Sequence, residues 1–194
     1  MKKILATVVL AFMVSASGGF CQSEGHICFK KTPITGTEDQ FFEDLAKKGF
    51  KKMAGYKAVT GQFAGTDVTV FTDTTLVSGT VWKVKANLNP RNNWQAVKSD
   101  YVLFKNYLTV KYGKPSNCYE TFIGAYHEGD NMEMKAIANK KCSYVSNWNL
   151  PAGNISISIV PQKNSLACLM ITYEDNQGLK LYANEQTEIF LEDL

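Results

Sequence analysis

Residues 94–112 constrain the fold more than any other stretch of this chain. Trp94, Val97, Tyr101, Phe104 and Leu108 recur every three or four residues after the turn Pro90-Arg91-Asn92-Asn93, and Gly113 with Pro115 closes the run. That spacing is the apolar stripe of an amphipathic helix, and glycine followed by proline is a helix stop. A helix that is apolar on one side must bury that side against another element. The flanking sequence offers strands. In residues 79–88, Trp82, Val84, Ala86 and Leu88 alternate with lysines and Asn87, a two-residue period that turns one face to a core. The last third reads as a meander of strands 143–150, 154–160 and 167–173, with turns at Pro151-Ala152-Gly153 and Lys163-Asn164-Ser165. Tyr144, Trp148 and Leu150 are expected to share its core face with Ile155, Ile157, Ile159, Cys168 and Met170.

The other elements follow from local signals. Thr37 and Gln40 form a capping box ahead of Phe41, Phe42 and Leu45, and Gly49 with Phe50 closes a helix over 38–48. Strands are predicted over 56–63 and 67–72 around an Ala64-Gly65 turn, and over 119–126. A brief helix over 130–139 is predicted from Asp130 and Glu133, and a final helix over 177–192 carries Leu179, Tyr182, Ile189 and Phe190. The fold class is therefore α+β: antiparallel sheet with helices packed on one face, in a loose internal duplication, α-βββ and then α-β-α-βββ-α. No second core or Pro/Ser-rich linker interrupts residues 22–194, which read as a single domain.

The first residues carry an address. Lys2 and Lys3 precede an apolar run from Ile4 to Val14 and then small residues to Gly19. This is the order of a cleavable secretory signal, assigned to residues 1–21. The run is shorter than the roughly 20 apolar residues of a membrane span. Phe20 before Cys21 departs from a lipoprotein signal, and the expected location is the periplasm or the cell exterior. Loss of the two signal lysines leaves a nearly neutral chain, which argues against a nucleic-acid partner.

Export also frames the cysteines. Cys28, Cys118, Cys142 and Cys168 remain after cleavage, an even number for an oxidising compartment. They show no CxxC or nearby His that would suit zinc, so disulfides are the expected role. The meander register holds Cys142 and Cys168 too far apart to bond. Of the two remaining connectivities, Cys118 with Cys142 and Cys28 with Cys168 is preferred, because it closes a short loop.

Catalytic motifs are sparse. Only His26 and His127 offer an imidazole, and His26 lies near the N-terminus of the mature chain. His127, Glu128 and Asp130 are the candidate ligand-binding residues, in a glycine-containing loop. No phosphate-binding loop, Gly-x-Ser-x-Gly, HExxH or EF-hand pattern is present, and no cofactor or metal is expected. Adjacent acids such as Glu43 with Asp44, and Glu192 with Asp193, point apart on helices. Trp82, Trp94 and Trp148 fit core stripes better than sugar-stacking platforms. Asp73-Thr74-Thr75 resembles the O-glycosylation pattern of secreted Bacteroides proteins, and if the chain comes from such an organism that resemblance makes Thr74, in a predicted exposed loop, a candidate site. Asn154-Ile155-Ser156 matches the N-glycosylation sequon at a strand start, where coincidence is the simpler reading.

The stretch FKKTPITGTEDQFFEDLAKKGF (29–50), the Gln62–Gly65 turn, LTVKYGKP (108–115) and CLMITYED (168–175) resemble a set of small secreted proteins of Bacteroides and related gut Bacteroidetes. The resemblance spans nearly all of the mature chain. It implies envelope or surface residence and no activity. The helix-then-strands duplication is similar in outline to the repeats of β-lactamase-inhibitor-like binding proteins, an analogy of fold alone. Together these readings favour a non-catalytic binding module for an envelope protein or a glycan. A hydrolase built around His127, or an accessory subunit of an envelope complex, are the alternatives.

Overall fold

The computed structural model describes residues 25–192, and the export signal read over residues 1–21 lies outside the described residues. The stripe beginning at Trp94 forms helix α2 (Trp94–Tyr112). Asn93 caps it by accepting the Ala96 N–H at 2.9 Å, and Gly113 ends it at a φ of 86°. Helix α1 (Glu38–Ala46) opens on the expected reciprocal box. Gln40 N–H donates to Thr37 Oγ1 and Thr37 N–H to Gln40 Oε1. Two further helices, α3 (Glu133–Ala138) and α4 (Asn176–Glu192), complete the set among the described residues.

Eight strands make one antiparallel sheet: β3 (Lys51–Lys52), β4 (Val59–Phe63), β5 (Thr66–Thr74), β6 (Val81–Leu88), β7 (Asn117–Phe122), β8 (Cys142–Leu150), β9 (Gly153–Pro161) and β10 (Ala167–Asp175). Their order is β3-β4-β5-β6-β10-β9-β8-β7. Each half of the chain thus contributes four strands to the sheet, the first with α1 and the second with α2, α3 and α4, and the innermost strands β6 and β10 zip the halves together. A small hairpin of β1 (Cys28–Phe29) and β2 (Thr32–Pro33) precedes α1.

One row across the sheet runs Val59, Val70, Ala86, Ile171, Ile157 and Ser146, and the helices cover this face. The next row, facing the other way, runs Phe71, Lys85, Thr172, Ser156 and Asn147. The stripes of α1 and α2 join Val84, Ile155, Ile157, Leu169 and Ile171 in one continuous core. Each large side chain buried there contributes about 1.5–3 kcal/mol of transfer free energy.

Four expectations need correction. Leu169, Ile171 and Tyr173, and not Cys168 and Met170, share the core face with Ile155, Ile157 and Ile159, because Leu169 pairs with Ile159. The turn sets that register: Asn164 and Ser165 both take a left-handed φ of 57°. Strand β7 covers 117–122 rather than 119–126, and β4 begins at Val59. Asp130 does not cap α3. Its carboxylate accepts the N–H groups of His127 and Met132, and so folds the preceding loop on itself.

Candidate functional site

The loop proposed from sequence is occupied with structural work. Glu128 accepts from Trp94 Nε1 at 3.3 Å, from Tyr144 Oη at 3.1 Å and from Lys98 Nζ, which ties the loop to α2 and β8. The Lys98 ammonium, against a small burial penalty and with Trp94 and Tyr144 donating, holds this carboxyl below its usual range. His127 is three-quarters exposed, with Nδ1 3.6 Å from Asp130 Oδ2. The three side chains do not converge, and no group of three or more His, Cys, Asp or Glu among the described residues is placed to hold a metal ion.

No disulfide joins the described cysteines; Cys118, Cys142 and Cys168 are free thiols. The expected pairings fail on distance. Cys118 lies opposite Ser146 in the β7–β8 ladder and Cys142 opposite Phe122, four residues along, an offset of about 13 Å against a limit of about 7 Å. Cys168 stands seven residues, about 23 Å of strand, up β10 from Asp175, and Cys28 lies between Ile27, bonded to Asp175, and Phe29, packed on Tyr173, so that pair too is well beyond bonding distance. Burial, aided by Glu128 and Glu133, pushes the Cys142 thiol up to about 12. Burial, opposed by Gln162 Nε2 donating to the sulfur and aided by Asp100, pushes Cys168 up to about 11. Neither is a nucleophile at neutral pH. Thr74 is the half-buried last residue of β5, paired with Val81 rather than free in a loop. Trp82, Trp94 and Trp148 are all buried, so none offers a stacking surface.

The cavity lies elsewhere. A space of about 660 Å³ opens between the β1–β2 hairpin and the last turns of α2, within the usual range for a small-molecule site. Phe104, Tyr107, Leu108 and Lys111 enter from α2 because they lie three or four residues apart on one helical face. Phe63 from β4 and Tyr173 from β10 line it from the sheet. Leu150 and Ala152 enter from the β8–β9 turn. Aromatic packing secures this corner: Phe29 stacks on Phe63 at 5.0 Å and meets Tyr173 edge-on at 5.5 Å.

The rim is basic. Lys30 and Lys31 are the two central residues of the β1–β2 turn, with φ of 50° and 60°. This is the left-handed pair that Asn-Gly fills most easily, and a side chain there costs about 1–2 kcal/mol per residue. Lys30 Nζ donates to Gln62 O at 3.0 Å. Elsewhere lysines meet acids, as Lys83 meets Glu174 and Lys85 meets Asp73. Among the described residues, Lys30, Lys31 and Lys111 make no ion pair, and no carboxylate lines the cavity.

His26 also faces the cavity, and far from being a loose end it is fastened to Asp175, its Nδ1 3.0 Å from Oδ2. Asp175 is fully buried and also accepts the N–H groups of Ile27 at 3.0 Å and Gly178 at 2.9 Å. One carboxylate thereby caps α4 and anchors the segment leading into β1. Nothing in the sequence announces this, since His26 and Asp175 are 149 residues apart. No protein-family profile, curated protein or solved structure matches the chain.

Proposed function

We propose that this chain is an exported, non-catalytic binding module whose ligand is a small molecule with an apolar body, taken into the cavity between the β1–β2 hairpin and α2. One observation carries the reading: a cleft of about 660 Å³, walled mainly by aromatic and aliphatic side chains, opens to the surface at the edge of the core. A concave site with a mostly apolar wall and a few polar groups at its rim is the usual form of a small-molecule site, and a ligand with an apolar body would remove that wall from water. The N-terminal signal and the resemblance to small secreted Bacteroides proteins support a place in the envelope. Whereas the sequence favoured a protein or glycan partner, the burial of all three tryptophans and the apolar lining favour a small molecule.

The test is retention. The tagged mature protein, purified from its native envelope without detergent, is expected to carry a small molecule that native mass spectrometry detects and denaturation releases. Ala152→Phe, which fills the cavity from the β8–β9 turn, is expected to lose it. Tyr107→Asp does the same from the half-exposed mouth, removing one edge-on contact with Phe104. A wild-type protein that arrives empty, and whose melting temperature no apolar-bodied compound raises, would sink the proposal.

A further inference from the structure

We propose, resting on that reading, that the cavity selects an anionic amphiphile of the single-chain carboxylate type. The head would lie among Lys30, Lys31 and Lys111, and the chain against Phe63, Phe104 and Leu108.

Charge placement carries the argument. Unpaired lysines are unremarkable on a solvated surface, but three of them border one apolar cavity that no acid lines. A low-dielectric wall focuses the field of these charges into the opening instead of letting water screen it. Two are held in a turn whose backbone disfavours any side chain, so the hairpin keeps lysines at this rim at a conformational cost. Lys30 is already positioned by Gln62 O, and Lys111 lies 4.8 Å from the centre of the Tyr112 ring. Both ammonium groups therefore stand partly ordered before a ligand arrives, which lowers the entropy cost of binding.

Helix α2 supplies a path inward. Leu103, Tyr107 and Val110 are exposed at the spacing of one helical stripe, and Val110 is 89 % exposed beside Lys111. Tyr107 belongs both to this outer stripe and to the cavity wall. An acyl chain can follow that stripe from solvent to interior while its head stays at the lysines. A neutral apolar ligand would leave three cations bordering an apolar surface with no counter-charge. A small anion alone would leave the apolar volume unfilled.

Three probes separate these cases by calorimetry: decanoate, which has charge and chain, decan-1-ol, which has the chain alone, and acetate, which has the charge alone. Decanoate is expected to bind at least about tenfold tighter than decanol, since one hydrogen bond to a charged group suffices for that factor, and acetate not measurably. Raising salt from about 0.05 M to about 0.5 M should weaken decanoate and spare decanol. The double variant Lys31→Gln/Lys111→Gln, both surface changes, should bring decanoate down to the decanol level with an unchanged melting temperature. Equal binding of decanoate and decanol by the wild type would overturn the charge selection and leave the cavity reading standing. Acetate binding as tightly as decanoate would reduce the site to an ion contact and also overturn it. Failure of all three probes would remove this proposal; an empty purified protein would then remove the cavity reading with it.

Discussion

Asp175 shows how much one side chain can hold. Three N–H groups from two distant parts of the chain, His26 with Ile27 and Gly178, converge on a carboxylate with no exposure to water. An ionised carboxylate is all acceptor, so it meets three donors without conflict. In Asp175→Asn the amide NH₂ must confront one of those N–H groups, leaving a buried donor unsatisfied. The expected cost is about 2 kcal/mol, read as a lower urea midpoint at constant m-value. An unchanged midpoint would show that the three contacts are replaceable by water. The neighbouring Gly178 explains why α4 can begin here at all: a Cβ on it would stand 2.6 Å from Trp82 Cβ and 3.0 Å from Trp82 Cα. These facts were not legible in sequence, because a capping aspartate at a strand end and a histidine near a terminus each look ordinary alone. Only the fold brings them together.

At the scale of elements, legibility tracks period and length. Helix α2 announces itself through five buried residues at helical spacing, and α1 through a complete capping box. Strands β1, β2 and β3 have two residues each, too few to show any alternation, and so the hairpin that borders the cavity went unread. The register of β10 was misread by one residue because its turn geometry depends on two non-glycine residues at positive φ. Helix α4 is bound lightly. Gly178, Tyr182 and Glu185 form its packed stripe, while Ile189, Phe190 and Leu191 are exposed beyond it. Glu185 accepts the N–H groups of Val77 at 2.7 Å and Ser78 at 3.2 Å, clasping the β5–β6 connection. Burial raises its pKa, yet these donors and the Ser78 hydroxyl outweigh it, so the carboxyl stays below its usual range. A depressed folded-state pKa means that the clasp contributes fully above the unfolded carboxylate range, about 4.3, and is lost as pH falls through the lower folded value. Glu185→Gln should therefore speed amide exchange at Val77, Ser78 and along α4 at neutral pH, leave β6 protected, and remove that part of the acid sensitivity. Equal exchange in mutant and wild type would show that the Trp82–Tyr182 stack alone secures the helix.

The whole molecule is two similar halves with one core, and the seam between them decides whether they behave as one unit. Strands β6 and β10 pair over five positions, and at the seam Ile171 lies between Ala86 of the first half and Ile157 of the second. All three are fully buried. The core cluster runs unbroken from Phe41 and Val70 through Val84 and Ile171 to Trp148. A shared core of this kind leaves neither half able to keep its apolar face covered after the other opens, so unfolding should be cooperative across the seam. Ile171→Ala tests this where it matters most. Truncating a fully buried isoleucine should cost about 3 kcal/mol, within the range for core cavities. Hydrogen exchange followed by mass spectrometry, in rising urea, should show peptides from β5 and from β8 losing protection at the same lowered midpoint. If β5 opened first while β8 held, the halves would be separate folding units joined by a ladder. The cavity, which draws walls from β4 on one side and from β8–β9 and β10 on the other, would then depend on how well those units dock. A single midpoint instead means that any ligand filling the cavity stabilises both halves at once, so that binding and global stability can be read from the same unfolding curve.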